Sequence, residues 1–485
     1  MRNAEIHARV AHGFIYLRYN WLSTSGKLIN ISQRLAEACR LSRGKIRKSR
    51  KDFVASFNVI LTSLEVSHAY KSDQWIRIVT DRDVYGGKHQ RSPAHNREVQ
   101  TALEWLIAEG YLRQVDGRRK VKSSTSSQVH DLPFAYVITD KWRSEISDRP
   151  ISHQHEIQRN PLASYVQLRT KFKTSAKGKE RSVSLQITAA DRQQHPDLIE
   201  GTERLLEAAD DVWRHVQIRL GDEVMPSTQV SMTRIFNNGS FDEGGRFYCQ
   251  LQNLPKTQRI HLWFNDQPTV EVDFAGMHPH LLYHLQGEDF SGDPYAIDGY
   301  ARDAVKVAFN TLINRDSRKH RGSTARTLAN NLKIRPADAA KLETALYTLH
   351  HRIAGHFNTG YGLKLQKLDS QIAYDVMTHF FMERKRPVLM IHDSAIVSVR
   401  EVEALKLCMV DAYRSVVFKE LQTNDPIDYA FAPLPSGLKI NSVDFNKTLT
   451  NTIYRALAGN DIQAEEWTMA VQAVEPSSSL LLSVI

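Results

Sequence analysis

The sequence predicts an α+β protein, an antiparallel sheet packed with helices and preceded by a basic domain of helices and a wing-like strand pair. Three observations lead there. Two apolar runs, "TVEVDF" and "VLMIHDSAIVSV", have the composition of strands, and each carries an aspartate, Asp273 and Asp393. Several other stretches space their apolar residues three and four apart, as a helix does. Residues 1–150 hold 26 Lys+Arg against 15 Asp+Glu, a net +11, while the whole 485-residue chain carries +10, so this third holds the entire excess.

A chain of this length exceeds one ordinary core, so two or three domains are expected. With 41% hydrophobic and 24% charged residues, the composition is that of a soluble globular protein. No apolar run is long enough to span a bilayer, and "MRNAEIHARVAHGFIYLRYN" lacks the layout of a secretory signal. Cys39, Cys249 and Cys408 are far apart and odd in number, which fits a reducing compartment, the cytoplasm, and excludes a disulfide framework or a cysteine zinc site. The pI near 9.3, concentrated as it is in one region, points to a polyanionic partner.

Along the chain, "ISQRLAEACRLSRGKIRKSR" (31–50) reads as two short helices broken at "RLSRG". The first carries an apolar stripe of Leu35, Ala36 and Cys39; the second carries Lys45, Arg47, Lys48 and Arg50. The pair resembles a helix-turn-helix, whose second helix offers cations to phosphates and base edges. "HNREVQTALEWLIAEGYLRQVDGRRKV" predicts a helix through Val99, Leu103, Leu106 and Ile107, ended by Gly110, then strand–turn–strand with "DGRR" at the turn. This resembles a winged-helix element with Arg118, Arg119 and Lys120 on the wing; two ordinary solvated helices are the plainer alternative. "KSSTSSQVHD" (122–131) reads as a wing loop or tip, and "TKFKTSAKGKERS" (170–182) as a mobile connector. "HPDLIEGTERLLEAADDVWRHVQIRL" is an amphipathic helix with Leu198, Leu205, Leu206 and Val212 on one face. No internal repeat is visible, and the segment 447–485 shows no readable role.

The chemistry is carried by the two aspartates. "VLMIH" and "AIVSV" flank a polar turn and predict a β-hairpin with Asp393 at its tip. An ionised carboxylate in such surroundings is costly unless a cation meets it. "TVEVDFAGMHPHLLYHL" predicts a second strand ending at Asp273, a turn at Gly276 and a helix opening near Pro279. If the two strand ends neighbour each other in one sheet, Asp273 and Asp393 converge although 120 residues separate them. Two such carboxylates suit a pair of Mg²⁺ ions, with Mn²⁺ as a substitute, in a phosphoryl transfer.

Five stretches, in order, resemble the family A polymerases, the group of DNA polymerase I and the phage-type single-subunit RNA polymerases. They are "GRFYCQLQNLP" (245–255), "VDFAGMHPHLL" (motif A), "ARDAVKVAFN" (motif B), "LQKLDSQIAYDVM", and "IHDS" (motif C, in the form seen in the RNA polymerases). The likeness covers residues 234–400, and "RIFNNGSFDEGGRFY" also resembles a group of bacterial proteins. It implies a polymerase-like palm with helical fingers and thumb. On that frame the chain divides into a winged-helix-like DNA-binding domain (1–150), a helical, thumb-like connector (151–233), palm and fingers (234–446) and a tail (447–485). The resemblance implies that Asp273 and Asp393 are catalytic metal ligands. Arg302 and Lys306, one helical turn apart, would bind a nucleoside triphosphate, with Asn310 continuing their row. Arg246, Gln366 and His392 would contact primer–template DNA, and Arg47, Lys48, Arg118 and Arg119 the duplex outside the palm. Asn310 and Asn314 stand where the family has an aromatic residue and Tyr-Gly, and His278 falls near the position of the sugar-selecting Glu.

The expectation is therefore a nucleotidyltransferase, a DNA-directed polymerase with a DNA product favoured over RNA, acting on DNA and nucleoside triphosphates away from membranes. The alternatives are a non-catalytic DNA-binding replication initiator or regulator with a relic palm, and a template-independent or primase-like nucleotidyltransferase. His278, His280 and His284 invite a zinc reading, but no third ligand is placed to join His280 and His284 in the sequence.

Overall fold

The computed structural model describes residues 15–16, 20–43, 50–68, 76–78, 96–117, 119–122, 129–132, 134–146, 157–161, 163–173, 180–221, 223–225, 227–318, 322–421 and 440–442. It is a mixed α/β protein with antiparallel sheets. Among the described residues no helix is long and apolar enough to cross a membrane.

The N-terminal portion contains strands β1 (Ile15–Tyr16) and β2 (Trp21–Ser23), then helices α1 (Gly26–Arg43) and α2 (Arg50–His68). Next come β3 (Ile76–Arg77), helix α3 (Arg97–Ala108), and strands β4 (Leu112–Asp116), β5 (Arg119–Lys122), β6 (Val129–Leu132) and β7 (Ala135–Ile138). Helix α4 (Asp140–Glu145) and β8 (Ile157–Arg159) close it. Helix α3 starts where the Asn96 side chain accepts from the Val99 backbone N–H at 2.9 Å, and it buries Val99, Leu103 and Leu106. The sheet order is β1-β3-β7-β4, with a buried Arg77–Asp116 ion pair at 2.6 Å tying β3 to β4. The first expected helix is part of Gly26–Arg43, which starts earlier than 31 because its apolar stripe runs from Leu28 through Leu35 to Cys39, and it ends inside "RLSRG"; Lys45, Arg47 and Lys48 lie outside the described residues. One expectation is corrected here. "DGRR" is not a hairpin turn: β4 pairs with β7 and β5 with β6, so the chain returns after Lys122 and not at Gly117.

The middle portion holds β9 (Val166–Lys173), β10 (Glu180–Leu185), α5 (Ala189–Gln194), α6 (Pro196–Arg214), β11 (Ile218–Leu220), β12 (Glu223–Met225), β13 (Thr233–Phe236) and β14 (Gly244–Tyr248). Helix α6 opens on Pro196 and buries Leu205 and Leu206 of the expected face together with Ile199, Ala209 and Trp213, whereas Leu198 and Val212 are only partly buried. The connector is not purely helical. β9 and β10 pair antiparallel from Leu168–Leu185 to Lys173–Glu180, and β9 runs parallel to β13 in a sheet ordered β10-β9-β13-β14. The alternation of Val166 and Leu168, both buried, outweighs the charge that made 170–182 read as a connector.

The remaining elements are α7 (Lys256–Arg259), β15 (Leu262–Phe264), β16 (Gln267–Phe274), α8 (Met277–His284), α9 (Arg302–Asn314), α10 (Thr324–Leu332) and α11 (Pro336–Leu349). They are followed by α12 (Gly362–Met377), β17 (Leu389–Ile391), β18 (Ser394–Ser398), α13 (Val402–Leu421) and β19 (Ile440–Ser442). The sheet order is β12-β11-β15-β16-β18-β17, with β19 on β16 and every pairing antiparallel. One large buried apolar cluster joins this sheet to α6 and α8–α13, and a second joins α1–α3 to β4 and β7.

Candidate active site

Strand β16 alternates as a half-covered strand should: Val270, Val272 and Phe274 are buried, and Glu271 and Asp273 lie on the other face. The hairpin of β17 and β18 closes through His392 and Asp393 alone, since Ile391 pairs with Ser394. His392 takes the left-handed backbone, φ +59°, that such a tight turn requires at one of its two positions. Asp273 sits opposite Ser394, and the Phe274 N–H donates to the Asp393 carbonyl at 3.3 Å. The two aspartates are therefore neighbours across adjacent strands, as the apolar runs predicted.

Their surroundings leave one of them unmet. Oδ1 of Asp273 is buried without a hydrogen-bond partner among the described residues. Burial, and then the nearby Asp393 charge, push its pKa up to about 7, while Lys256 and Lys306 pull the other way. Glu271, two residues earlier on the same face, is held by Arg259 at 2.9 and 2.7 Å and by the Ser394 hydroxyl at 2.8 Å. Two adjoining carboxylates, one with a buried oxygen that accepts no hydrogen bond among the described residues, are a donor set that fits the hard, oxygen-seeking ions Mg²⁺ and Mn²⁺.

A second node faces this pair. The Nε of Arg246, on β14, donates to both oxygens of Asp369 on α12 at 3.1 and 3.0 Å, and its Nη2 adds a further contact. Nε2 of His278 meets the same carboxylate at 3.0 Å. Burial lowers the Arg246 pKa, but Asp369 and then Asp393 more than offset it, leaving the guanidinium above its ordinary value. Beneath lies Arg234, fully buried, donating to Gly245 O at 2.9 Å, Thr202 Oγ1 at 3.0 Å and Ser370 Oγ at 3.3 Å. It ties the residue before Arg246 to the residue after Asp369. Burial lowers its pKa to about 10. Gly245 has φ +77°, and a Cβ there would lie 2.7 Å from the Phe236 ring, so glycine is required for this approach.

Arg302, Lys306 and Asn310 share one face of α9, as spacing predicted. Arg302 pairs with Asp293 at 2.5 and 3.2 Å and lies 5.2 Å from the Tyr295 ring centroid. Lys306 is exposed and within electrostatic reach of Asp273. Asn310 lines an open cleft of about 460 Å³ with Asn314, Arg315 and Asn331. Gln366 is half-buried on α12, one turn before Asp369. His392 packs edge-on to Tyr248 at 5.7 Å, its pKa lowered by burial and then by Arg246. Arg47, Lys48 and Arg118 lie outside the described residues; Arg119 is in β5, where the side chain is not described.

Several contributors escaped the sequence reading. Asp369 stands in a quoted motif, and its signal was a carboxylate among Leu365, Leu368 and Ile372 on the buried face of a helix. Lys256 and Tyr295 carry no such sign. The zinc expectation is corrected on geometry: a third donor exists, Asp289, from the loop after α8, while His278 turns to Asp369 instead.

No protein-family model matches the chain, and no curated protein matches it. Among solved structures the chain is similar to the POL domain of Pol1 from M. smegmatis in complex with DNA primer-template and dNTP. The identity is 13% and the TM-score 0.28, over 51% of this chain and 55% of that one. The chain thus spans little more than half the length of that polymerase domain, and a likeness of this size decides neither fold nor activity.

Proposed function

We propose that the protein is a template-directed nucleotidyltransferase, a DNA polymerase resembling family A, in which Asp273 and Asp393 hold two divalent cations. The observation that carries this reading is that Asp273 lies opposite Ser394, beside Asp393 in the β17–β18 turn, with Asp273 Oδ1 buried and without a hydrogen-bond partner among the described residues. When bound, the ions lower the pKa of a primer 3′-hydroxyl and stabilise charge on the attacked phosphate. Lys306 takes triphosphate oxygens from the exposed face of α9, and Arg302 joins it by exchanging Asp293 for the ligand. Arg246, fixed by Asp369, and Gln366 and His392 beside it face the primer–template end. Asn310 and Asn314 border the cleft on α9 where a template base would enter.

Residues 234–446 supply palm and fingers in this reading, residues 151–233 a thumb-like part, and residues 1–150 a winged-helix-like domain that recruits DNA. Three features support the last assignment: the helices α1–α3, the strand order β3-β7-β4, and the β5–β6 ribbon that extends the β4–β7 pair as a wing would.

The test is primer extension by the full chain with and without a template strand, with dNTPs and NTPs supplied separately, alongside Asp273→Asn and Asp393→Asn. Template-dependent, Mg²⁺-dependent incorporation that both substitutions abolish, with DNA binding retained, is the expected result. DNA binding with no incorporation by the wild type would make the palm a relic, and extension without template would make the enzyme a terminal or priming transferase. Either result overturns the proposal.

A further inference from the structure

A second donor cluster lies just beyond the Gly276 turn from Asp273. His280 and His284 sit one turn apart on α8, exposed by 0% and 2%. Asp289, on the loop that follows, completes a group whose ligand atoms all lie within 4.8 Å of one another. Neither ring nitrogen of His280 has a hydrogen-bond partner among the described residues. A buried imidazole with both nitrogens left so is costly. His350, equally buried, uses both nitrogens, on the Tyr283 hydroxyl at 3.1 Å and the Pro294 carbonyl at 2.9 Å. His284 is oriented from behind: Nδ1 meets the Tyr413 hydroxyl at 2.8 Å, which leaves Nε2 aimed at Asp289, 3.1 Å away.

We propose that His280, His284 and Asp289 form a binding site for a transition-metal dication of the zinc class, separate from the carboxylate pair. Two imidazoles one helical turn apart plus a carboxylate are a three-ligand set that Zn²⁺ takes, leaving a fourth position for water. Mg²⁺ and Ca²⁺ prefer all-oxygen sets and would not select it. Tyr413 plays the outer part, fixing the ring and tautomer of His284 as such partners do. The Asp289 side chain is 35% exposed, so the ion has a way in from solvent. Bonds of about 2.0–2.1 Å bring donors to roughly 3.3 Å from one another; His284 and Asp289 already stand at 3.1 Å, and a small side-chain adjustment brings the third donor in. The ion gives His280 a partner where none is found among the described residues, and ties the loop that carries Asp289 to α8. The site stands on these residues alone, whether or not the carboxylate pair transfers nucleotides.

The full chain, stripped of metal by chelator, would be titrated with CoCl₂ while visible absorption and thermal unfolding are followed. One strongly bound Co²⁺ per chain with a visible band, displaced by ZnCl₂ and accompanied by a raised Tm, is expected. Asp289→Asn changes a partly exposed side chain and should leave the fold intact while weakening Co²⁺ binding at least about ten-fold. His284→Gln and His280→Leu should remove the band, and if the latter does not fold the other two decide. Asp273→Asn should bind Co²⁺ as the wild type does. Wild type and Asp289→Asn titrating alike, or loss of the band in Asp273→Asn, would overturn the proposal.

Discussion

Asp369 and Asp273 are two inward carboxylates in the same part of the molecule, and the fold treats them in opposite ways. Asp369 is 1% exposed and receives Arg246 and His278 together. Asp273 receives no hydrogen bond at Oδ1 among the described residues and has Asp393 as its neighbour. A carboxylate that finds its cation inside the chain is part of the architecture, and its removal leaves a cation stranded. One that is placed beside another acid and left unmet weakens the folded state until something from outside neutralises it. Sites that oppose stability in this way are where function concentrates.

The contrast can be broken at several points. The largest effect should be on chemistry: Asp273→Asn or Asp393→Asn should slow nucleotide incorporation about a thousand-fold or more, because several kcal/mol of charge stabilisation go with the ions. Single-turnover extension measures it, and a loss within ten-fold for both would remove the metal role. Asp369→Asn should instead act on the fold, costing about 3 kcal/mol in urea unfolding by leaving Arg246 partly buried and unpaired. Adding Arg246→Gln should recover part of that loss, and a neutral Asp369→Asn would show that the pair is not structural. Lys306→Ala should raise KM for the nucleoside triphosphate about ten-fold through the loss of one charge-assisted contact. Arg302→Ala should do less, since Arg302 must first leave Asp293.

The smallest effect has the opposite sign to most substitutions. The folded pKa of Asp273, about 7, lies above its ordinary 3.8. Below the ordinary value both folded and unfolded chains are protonated there and nothing is lost. Between the two values the unfolded chain ionises first, so stability drains away as pH rises, and above about 7 the penalty is complete. Asp273→Asn should therefore be more stable than wild type at pH 8, by about 1–2 kcal/mol, with the gap closing toward pH 4. Added Mg²⁺ should raise the wild-type Tm and leave the variant unmoved. A variant less stable than wild type at pH 8 would show that Asp273 is satisfied after all.

What the sequence could disclose follows from range. Asp273 and Asp393 were legible because each interrupts an apolar strand, and a strand's period assigns faces without knowledge of the fold. The hairpin was legible because two polar residues between β-rich runs leave room for nothing but a tight turn. Asp369 was not, because its partners come from 123 and 91 residues away, on β14 and α8. Asp289 was missed because helical spacing finds His280 and His284 and then stops at the helix end. The β9–β10 pair was hidden because "TKFKTSAKGKERS" has the lysine-rich composition of a solvated linker.

β19 has a consequence for how the protein comes to be. Asn441 lies opposite Asp273 in the sheet, so the strand bearing that acid gains this edge only after the ribosome has added about 170 further residues. Throughout that interval β16 presents open backbone donors and acceptors to whatever passes. A nascent chain stalled short of Ile440 would carry every acidic and basic group discussed above and still hold Asp273 at a frayed margin, a substrate for chaperones before its sheet is complete.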